Sequence, residues 1–149
     1  MKTKETIPHV LDGIVSPIRT LIVDDSALML ICLRDLLATL EGLLVVGTAI
    51  NGSEALQKAG ALTPDLVLMD LNMPVMDGLK AATELRRLQP DTRIIIMTLE
   101  QSVHAKAAAR AHGAHGFIQK ERIVNDLTAE IQRVFRLQAI RSDRCTSPA

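Results

Sequence analysis

Residues 66–78, LVLMDLNMPVMDG, decide the fold. Four apolar residues, Leu66-Val67-Leu68-Met69, follow the turn signal Thr63-Pro64-Asp65 and stop at one carboxylate, Asp70. A short apolar run bounded this way is the pattern of a strand buried on both faces. The chain then breaks at Met73-Pro74, because the residue before a proline is pushed out of the helical region. Asp77-Gly78 follows, and Asp is a good N-cap for the helix that Leu79 and Lys80 begin. Asp70 is therefore expected at the carboxyl end of a central strand, beside an irregular loop. In open α/β sheets, ligands bind at that edge. A charge that ends a buried strand is costly unless it is paired, hydrogen-bonded or bound to metal. The partners of Asp70 thus become the question.

The same pattern repeats outward from this stretch. Residues 19–23 (RTLIV) read as a strand that stops at Asp24 and Asp25. Ser26 begins a helix whose apolar stripe is expected to be Leu28, Ile31, Leu36, Leu37 and Leu40. Residues 43–49 (LLVVGTA) form a second strand, and Ser53 is placed to cap a short helix ending at Gly60. After the central strand comes a helix from Asp77 to about Leu88, then a fourth strand over 92–97 that ends at Thr98. Residues 102–112 are helical by alanine content, with a thin apolar face of Val103 and scattered Ala. A fifth strand over 114–119 ends at Lys120. A last helix from about Arg122 to Leu137 shows Val124, Leu127, Ile131, Val134 and Phe135 on one face. Alternating strands and helices predict an α/β fold, a doubly wound five-stranded parallel sheet flanked by five helices. One domain over 19–141 results, with a polar tail over 142–149. Residues 1–18 are an extension in which Ile7, Val10, Leu11, Ile14, Val15 and Ile18 recur at helical spacing. They read either as a short docking helix or as a frayed leader.

Composition narrows the function. The chain has 149 residues, 48% apolar and 23% charged, with 17 basic and 17 acidic side chains and no net charge. That balance provides no general attraction to nucleic acid or to an anionic membrane. There is no Trp or Tyr and only two Phe, so platforms for stacking bases are missing. No apolar run is long enough to span a bilayer. Cys32 and Cys145 lie far apart in a chain without a secretory pattern, which fits a reducing cytoplasm.

In a parallel sheet all carboxyl ends share one edge, so Asp24, Asp25, Asp70, Thr98 and Lys120 are expected to converge. Three crowded carboxylates repel one another unless a cation sits among them. Oxygen ligands with room left for water and phosphate favour Mg²⁺. Asp70 is then a nucleophile able to form an acyl-phosphate. Lys120 supplies a cation, and Thr98 a hydroxyl donor, for the phosphoryl oxygens. A plain ion-pair network of Asp24, Asp25 and Lys120 is the bland alternative. It does not explain why each polar strand end suits phosphate.

These residues carry a resemblance. The acidic pair Asp24-Asp25, the Asp70 acceptor, the loop from Met73-Pro74 to Asp77-Gly78, Thr98, and the run GAHGFIQK ending at Lys120 resemble the receiver domain of bacterial two-component response regulators. This is the chemotaxis-regulator-like family of flavodoxin-like fold, and the likeness covers 19–137. The resemblance implies that Asp70 is phosphorylated by a sensor histidine kinase or a histidine phosphotransfer protein. It implies Mg²⁺ (or Mn²⁺) held by Asp25 and Asp70, by Asp24 more through water, and by the Asn72 backbone carbonyl. Thr98 and Phe117 match the family's switch pair. Departures are Leu99, bulkier than the residue usual after the switch Thr and expected to narrow access to Asp70, and Glu121, where many members have Pro. Asn72 and Glu100 occupy the positions that tune phosphate lifetime in the family. His104, His112 and His115 lack ligand spacing and read as solvated histidines at a helix end. Met69, Met73 and Met76 read as packing.

Three functions compete. The preferred one is a non-enzymatic, stand-alone phosphorylation switch that signals to a downstream protein through its 102–141 face, with a homodimer through the last two helices as an option. The second is the receiver of a truncated DNA-binding regulator, although nothing after Leu137 resembles such a domain; a phosphate sink without output is a further variant. The third is an aspartyl-nucleophile phosphatase of the haloacid dehalogenase type. That chemistry needs a second acid two residues after the nucleophile, where this chain has Asn72.

Overall fold

The computed structural model describes residues 5–6, 17–99 and 102–146; for 5–6 and 137–146 it describes the backbone alone. Five strands make one parallel sheet: β1 (Ile18–Val23), β2 (Leu43–Ala49), β3 (Leu66–Asp70), β4 (Arg93–Thr98) and β5 (Gly116–Gln119). Their spatial order is β2-β1-β3-β4-β5, so the winding reverses between β1 and β3. Helices α1 (Ala27–Ala38), α2 (Gly52–Leu62), α3 (Gly78–Leu88), α4 (Val103–Ala111) and α5 (Ile123–Thr146) cover both faces. A two-residue segment, Glu5–Thr6, pairs in parallel with Leu40–Glu41 beside this sheet. The docking helix expected in the N-terminal extension falls mostly on residues outside those described.

Alternation along the strands produces two cores, one on each face. Ile22, Leu66, Leu68, Ile95, Met97 and Ile118 point to one side, where Leu33 and Leu37 of α1 and Leu127, Ile131 and Val134 of α5 meet them. Leu21, Val67, Met69, Ile94 and Ile96 point to the other, against Ala55 and Ala59 of α2, Ala81, Ala82 and Leu85 of α3, and Ala105 and Ala109 of α4. Every residue of β3 is buried, as a central parallel strand requires. Met69 is core, and Met73 and Met76 pack on the second cluster, in agreement with a packing role.

Several local expectations fail. In α1 the buried positions are Leu33 and Leu37, whereas Leu28 and Ile31, read as core, are exposed, Leu28 at 71%. This helix is apolar nearly all round, so its periodicity leaves the inward face open. Asn51, not Ser53, caps α2, its side chain accepting from Glu54 N at 2.8 Å. The helix runs through Gly60 to Leu62. Val103 and Val124 also stand exposed instead of joining their helices' apolar faces. A 3₁₀ turn over Lys120–Arg122 precedes α5, which continues to Thr146, so residues 142–146 of the expected tail are helical. The N-caps Ser26 and Asp77 are as expected, accepting from Met29 N and Lys80 N.

Candidate functional site

Four of the five strands, β1, β3, β4 and β5, deliver polar groups to the carboxyl edge. β1 ends just before Asp24, whose side chain is fully buried, and Asp25 follows it into solvent. The Asp24 carboxylate accepts from Ser26 N at 2.9 Å, which fixes it at the start of α1. β3 ends at Asp70, buried beside the point where the winding reverses. β5 ends just before Lys120, whose ammonium lies 2.6 Å from Asp24 Oδ2 and 3.2 Å from Asp70 Oδ1. Carboxylate oxygens of Asp24, Asp25 and Asp70 all lie within 4.8 Å of one another. One lysine faces three carboxylates, so the cluster carries excess negative charge. Hard oxygen donors in that arrangement suit a small divalent cation.

The electrostatics follow from this crowding. Burial, and next the charge of Asp24, hold the Asp70 carboxyl above its ordinary range, opposed by Lys120 and by a hydrogen bond from the Asn72 amide. Burial alone would pull the Lys120 ammonium down, but its hydrogen bond to Asp24 and the charges of Asp70 and Asp24 outweigh it and raise it. The lysine is therefore charged, and Asp70 is a carboxylate short of counter-charge.

Thr98 ends β4 fully buried and sits opposite Gln119 in the ladder, while Phe117 sits opposite Ile96. Registered neighbours in a parallel pair share a face, so Thr98 and Phe117 lie on the same side of the sheet, two positions apart along adjacent strands. Phe117 is half-buried, and beside it runs a cleft lined by Lys106, Arg110, Glu130 and Arg133. Leu99 stands exposed next to Thr98; Glu100 lies outside the described residues.

The loop after β3 is held at several points. Leu71 N donates to Met97 O, Gly78 N to Leu71 O, and Gly52 N to Met76 O, at 2.9, 3.0 and 3.1 Å. Gly78 is required here, because a Cβ would come within 2.3 Å of Asp70 O. Val75 at the tip has φ 71° and is 86% exposed. Such a conformation in a β-branched residue costs roughly 1–3 kcal/mol.

Two features escaped sequence reading. His115 is not a solvated histidine: Ile94 N donates to its Nδ1 at 3.1 Å, Arg86 Nη1 lies 3.0 Å from its Nε2, and Arg133 donates to its carbonyl at 2.7 Å. Nor is His112 merely solvated, since Thr83 Oγ1 lies 2.9 Å from its Nδ1. All four contacts join residues remote in sequence, for which no local signal exists.

An acidic pocket with one lysine, at the switch point of a 2-1-3-4-5 parallel sheet, defines a flavodoxin-like α/β domain with a candidate cation site at its carboxyl edge. The response regulator receiver domain model matches residues 20–132, and the chain belongs to that family. Protein-glutamate methylesterase/protein-glutamine glutaminase 1 of Methanosarcina acetivorans is 42% identical over 83% of this chain and 36% of its own length. Transcriptional regulatory protein PrrA of Mycobacterium leprae is 36% identical over 83% of this chain and 52% of its own. The chain thus spans about a third to a half of these relatives. Among solved structures, the CheX–CheY–BeF3–Mg²⁺ complex of Borrelia burgdorferi contains a chain similar to this one, at TM-score 0.75 and 27% identity, covering 80% of this chain and 90% of that one.

Proposed function

We infer that this receiver accepts a phosphoryl group on Asp70 in a Mg²⁺-dependent reaction, from the phosphohistidine of a sensor kinase or phosphotransfer protein, and that the acyl-phosphate switches a protein-interaction face. The observation that carries this reading is the Lys120 ammonium spanning Asp24 and Asp70 inside a pocket with two carboxylates more than it can balance. Asp24, Asp25, Asp70 and the Asn72 carbonyl are the groups that would hold Mg²⁺. When bound, the metal neutralises charge on the phosphoryl oxygens, with Mn²⁺ able to do the same.

An Asp70 carboxylate oxygen attacks phosphorus, a P–O bond forms, and the P–N bond to the donor imidazole breaks, with its electron pair returning to nitrogen. Lys120 contacts a phosphoryl oxygen, and Thr98, brought over from the end of β4, donates its hydroxyl to another. Phe117 then turns into the space beside Thr98, altering the surface formed by α4, β5 and α5. α4 suits this motion because it is anchored mainly by the small side chains of Ala105 and Ala109. Exposed Leu28 and Ile31 on α1 and Leu99 after β4 flank the acidic edge and provide apolar surface for a docked donor.

Incubation with Mg²⁺ and acetyl phosphate, followed by intact mass and peptide mapping, tests the reading. One added phosphoryl group on the peptide containing Asp70, absent without Mg²⁺ and in Asp70→Asn, is expected. Failure with both acetyl phosphate and a phosphorylated histidine donor would refute it. A second reading makes this receiver the regulatory part of a longer polypeptide with enzymatic or DNA-binding output. It is favoured by the fraction of its relatives that the chain spans, and the mass of the native polypeptide decides it.

A further inference from the structure

The acceptor loop is tied down in a way that its own residues do not favour. Met76 N donates to Pro74 O at 2.8 Å, closing a three-residue turn centred on Val75 at φ 71°. Three-residue turns with positive φ are the rare, strained kind. Val75 gains nothing from burial to offset this, because it is almost wholly exposed. Among the described residues, Thr63 is the other non-glycine at positive φ, and it occupies the left-handed cap of α2, a common role for that conformation.

What holds Val75 there is the opposite side of the loop. Met76 O accepts from Gly52 N, and a Cβ at Gly52 would lie 2.6 Å from that oxygen and 2.9 Å from Met76 Cγ. Only a glycine at the start of α2 permits this approach. Asn72, within the same loop, donates its amide to the Asp70 carboxylate.

We propose that Gly52 and Val75 form a clasp: the Gly52–Met76 contact forces the strained turn at Val75, which draws the loop tight and keeps the Asn72 backbone against the acidic pocket. Neither residue touches the phosphoryl group, and both act as positioning residues. The clasp rests on the proposed Mg²⁺ site, so its test separates the two. Loss of the contact lets Val75 fall back to negative φ, and Asn72 swings away from Asp70.

Mg²⁺ affinity is read by calorimetry on the full chain and stability by thermal unfolding without metal. Gly52→Ala pushes Met76 O away, and Val75→Pro forbids positive φ at an exposed position. Each is expected to remain folded and to bind Mg²⁺ about tenfold more weakly. Val75→Gly occupies the same φ without strain, so its Tm should rise by about 3 °C and its Mg²⁺ affinity hold or improve. Adding Val75→Gly to Gly52→Ala should restore Mg²⁺ binding, since the turn then needs no latch. Native Mg²⁺ affinity in both Gly52→Ala and Val75→Pro, no rise in Tm with Val75→Gly, or no rescue in the double variant overturns the clasp. If the native chain itself binds no Mg²⁺, and Asp70→Asn changes nothing, the metal site fails and the clasp falls with it.

Discussion

The two ends of one sheet are built to opposite rules. At the amino edge, hydrogen bonds between uncrowded groups tie distant elements together. Arg19 N donates to Asp65 Oδ2 and its guanidinium to Thr63 O, both at 2.9 Å. Thr92 Oγ1 donates to Pro64 O, Gln89 Nε2 to Ala59 O, and His115 joins β4, α3 and α5. At the carboxyl edge, carboxylates crowd one lysine, a β-branched residue sits in a strained turn, and Leu28, Val75 and Leu99 stand in solvent. Groups in charge balance stabilise a fold, whereas a cluster with more carboxylates than cations has charge left over for a ligand. The same strands therefore anchor the molecule at one end and hold a high-energy site at the other, which is the usual cost of a reactive centre.

The sharpest break in this comparison is at Lys120, the cation that lies between the buried Asp24 and Asp70. Lys120→Met leaves Asp24 buried beside Asp70 without a cation, and should destabilise the fold by about 3–5 kcal/mol in urea unfolding. A loss well below that would mean that hydration or protonation of a carboxylate replaces the missing cation. The counterpart at the amino edge is His115→Ala, expected to cost about 1–3 kcal/mol through the Ile94 amide left unpaired. Phosphoryl acceptance from acetyl phosphate should survive it, and a collapse of acceptance would erase the division between the edges. Thr92→Val, which removes the bond to Pro64 O, should cost about 1 kcal/mol with acceptance intact.

The smallest effect concerns pH. Asp70 is held above its ordinary range, chiefly by burial and then by the Asp24 charge. Its contribution to stability is thus fully present below about pH 4 and is lost as pH rises through its folded-state value. Metal-free Asp70→Asn should therefore melt above the native chain at neutral pH, the gap closing in acid. Mg²⁺ should raise the Tm of the native chain and close the gap from the other side, because a ligand of the folded state stabilises it. A native chain that melts above Asp70→Asn at neutral pH without metal would show that Lys120 more than balances Asp70.

Most of the fold was legible because the strands are short apolar runs with abrupt polar ends. That pattern places LVLMD at the centre, and its repetition sets the order of elements and the convergence of Asp24, Asp25, Asp70, Thr98 and Lys120 on one edge. The inward face of α1 was not legible. ALMLICLRDLLA is apolar at so many positions that Leu28 and Ile31 read as core while Leu33, which is buried, did not. The cap of α2 was misread although a local signal existed: Glu54 three residues on favours Asn51 over Ser53, and Asn51 accepts from Glu54 N.

By itself, then, the chain determines what local physics can determine: apolar periodicity, breaks at proline and glycine, caps, and the chemical type of each strand end. Tertiary structure alone decides which of several apolar faces is buried, that Lys120 pairs with Asp24 as well as Asp70, that His115 is an anchor, and that Val75 is strained. Each of those depends on groups far apart in the chain meeting within a few ångströms. No spacing along the sequence records such a meeting.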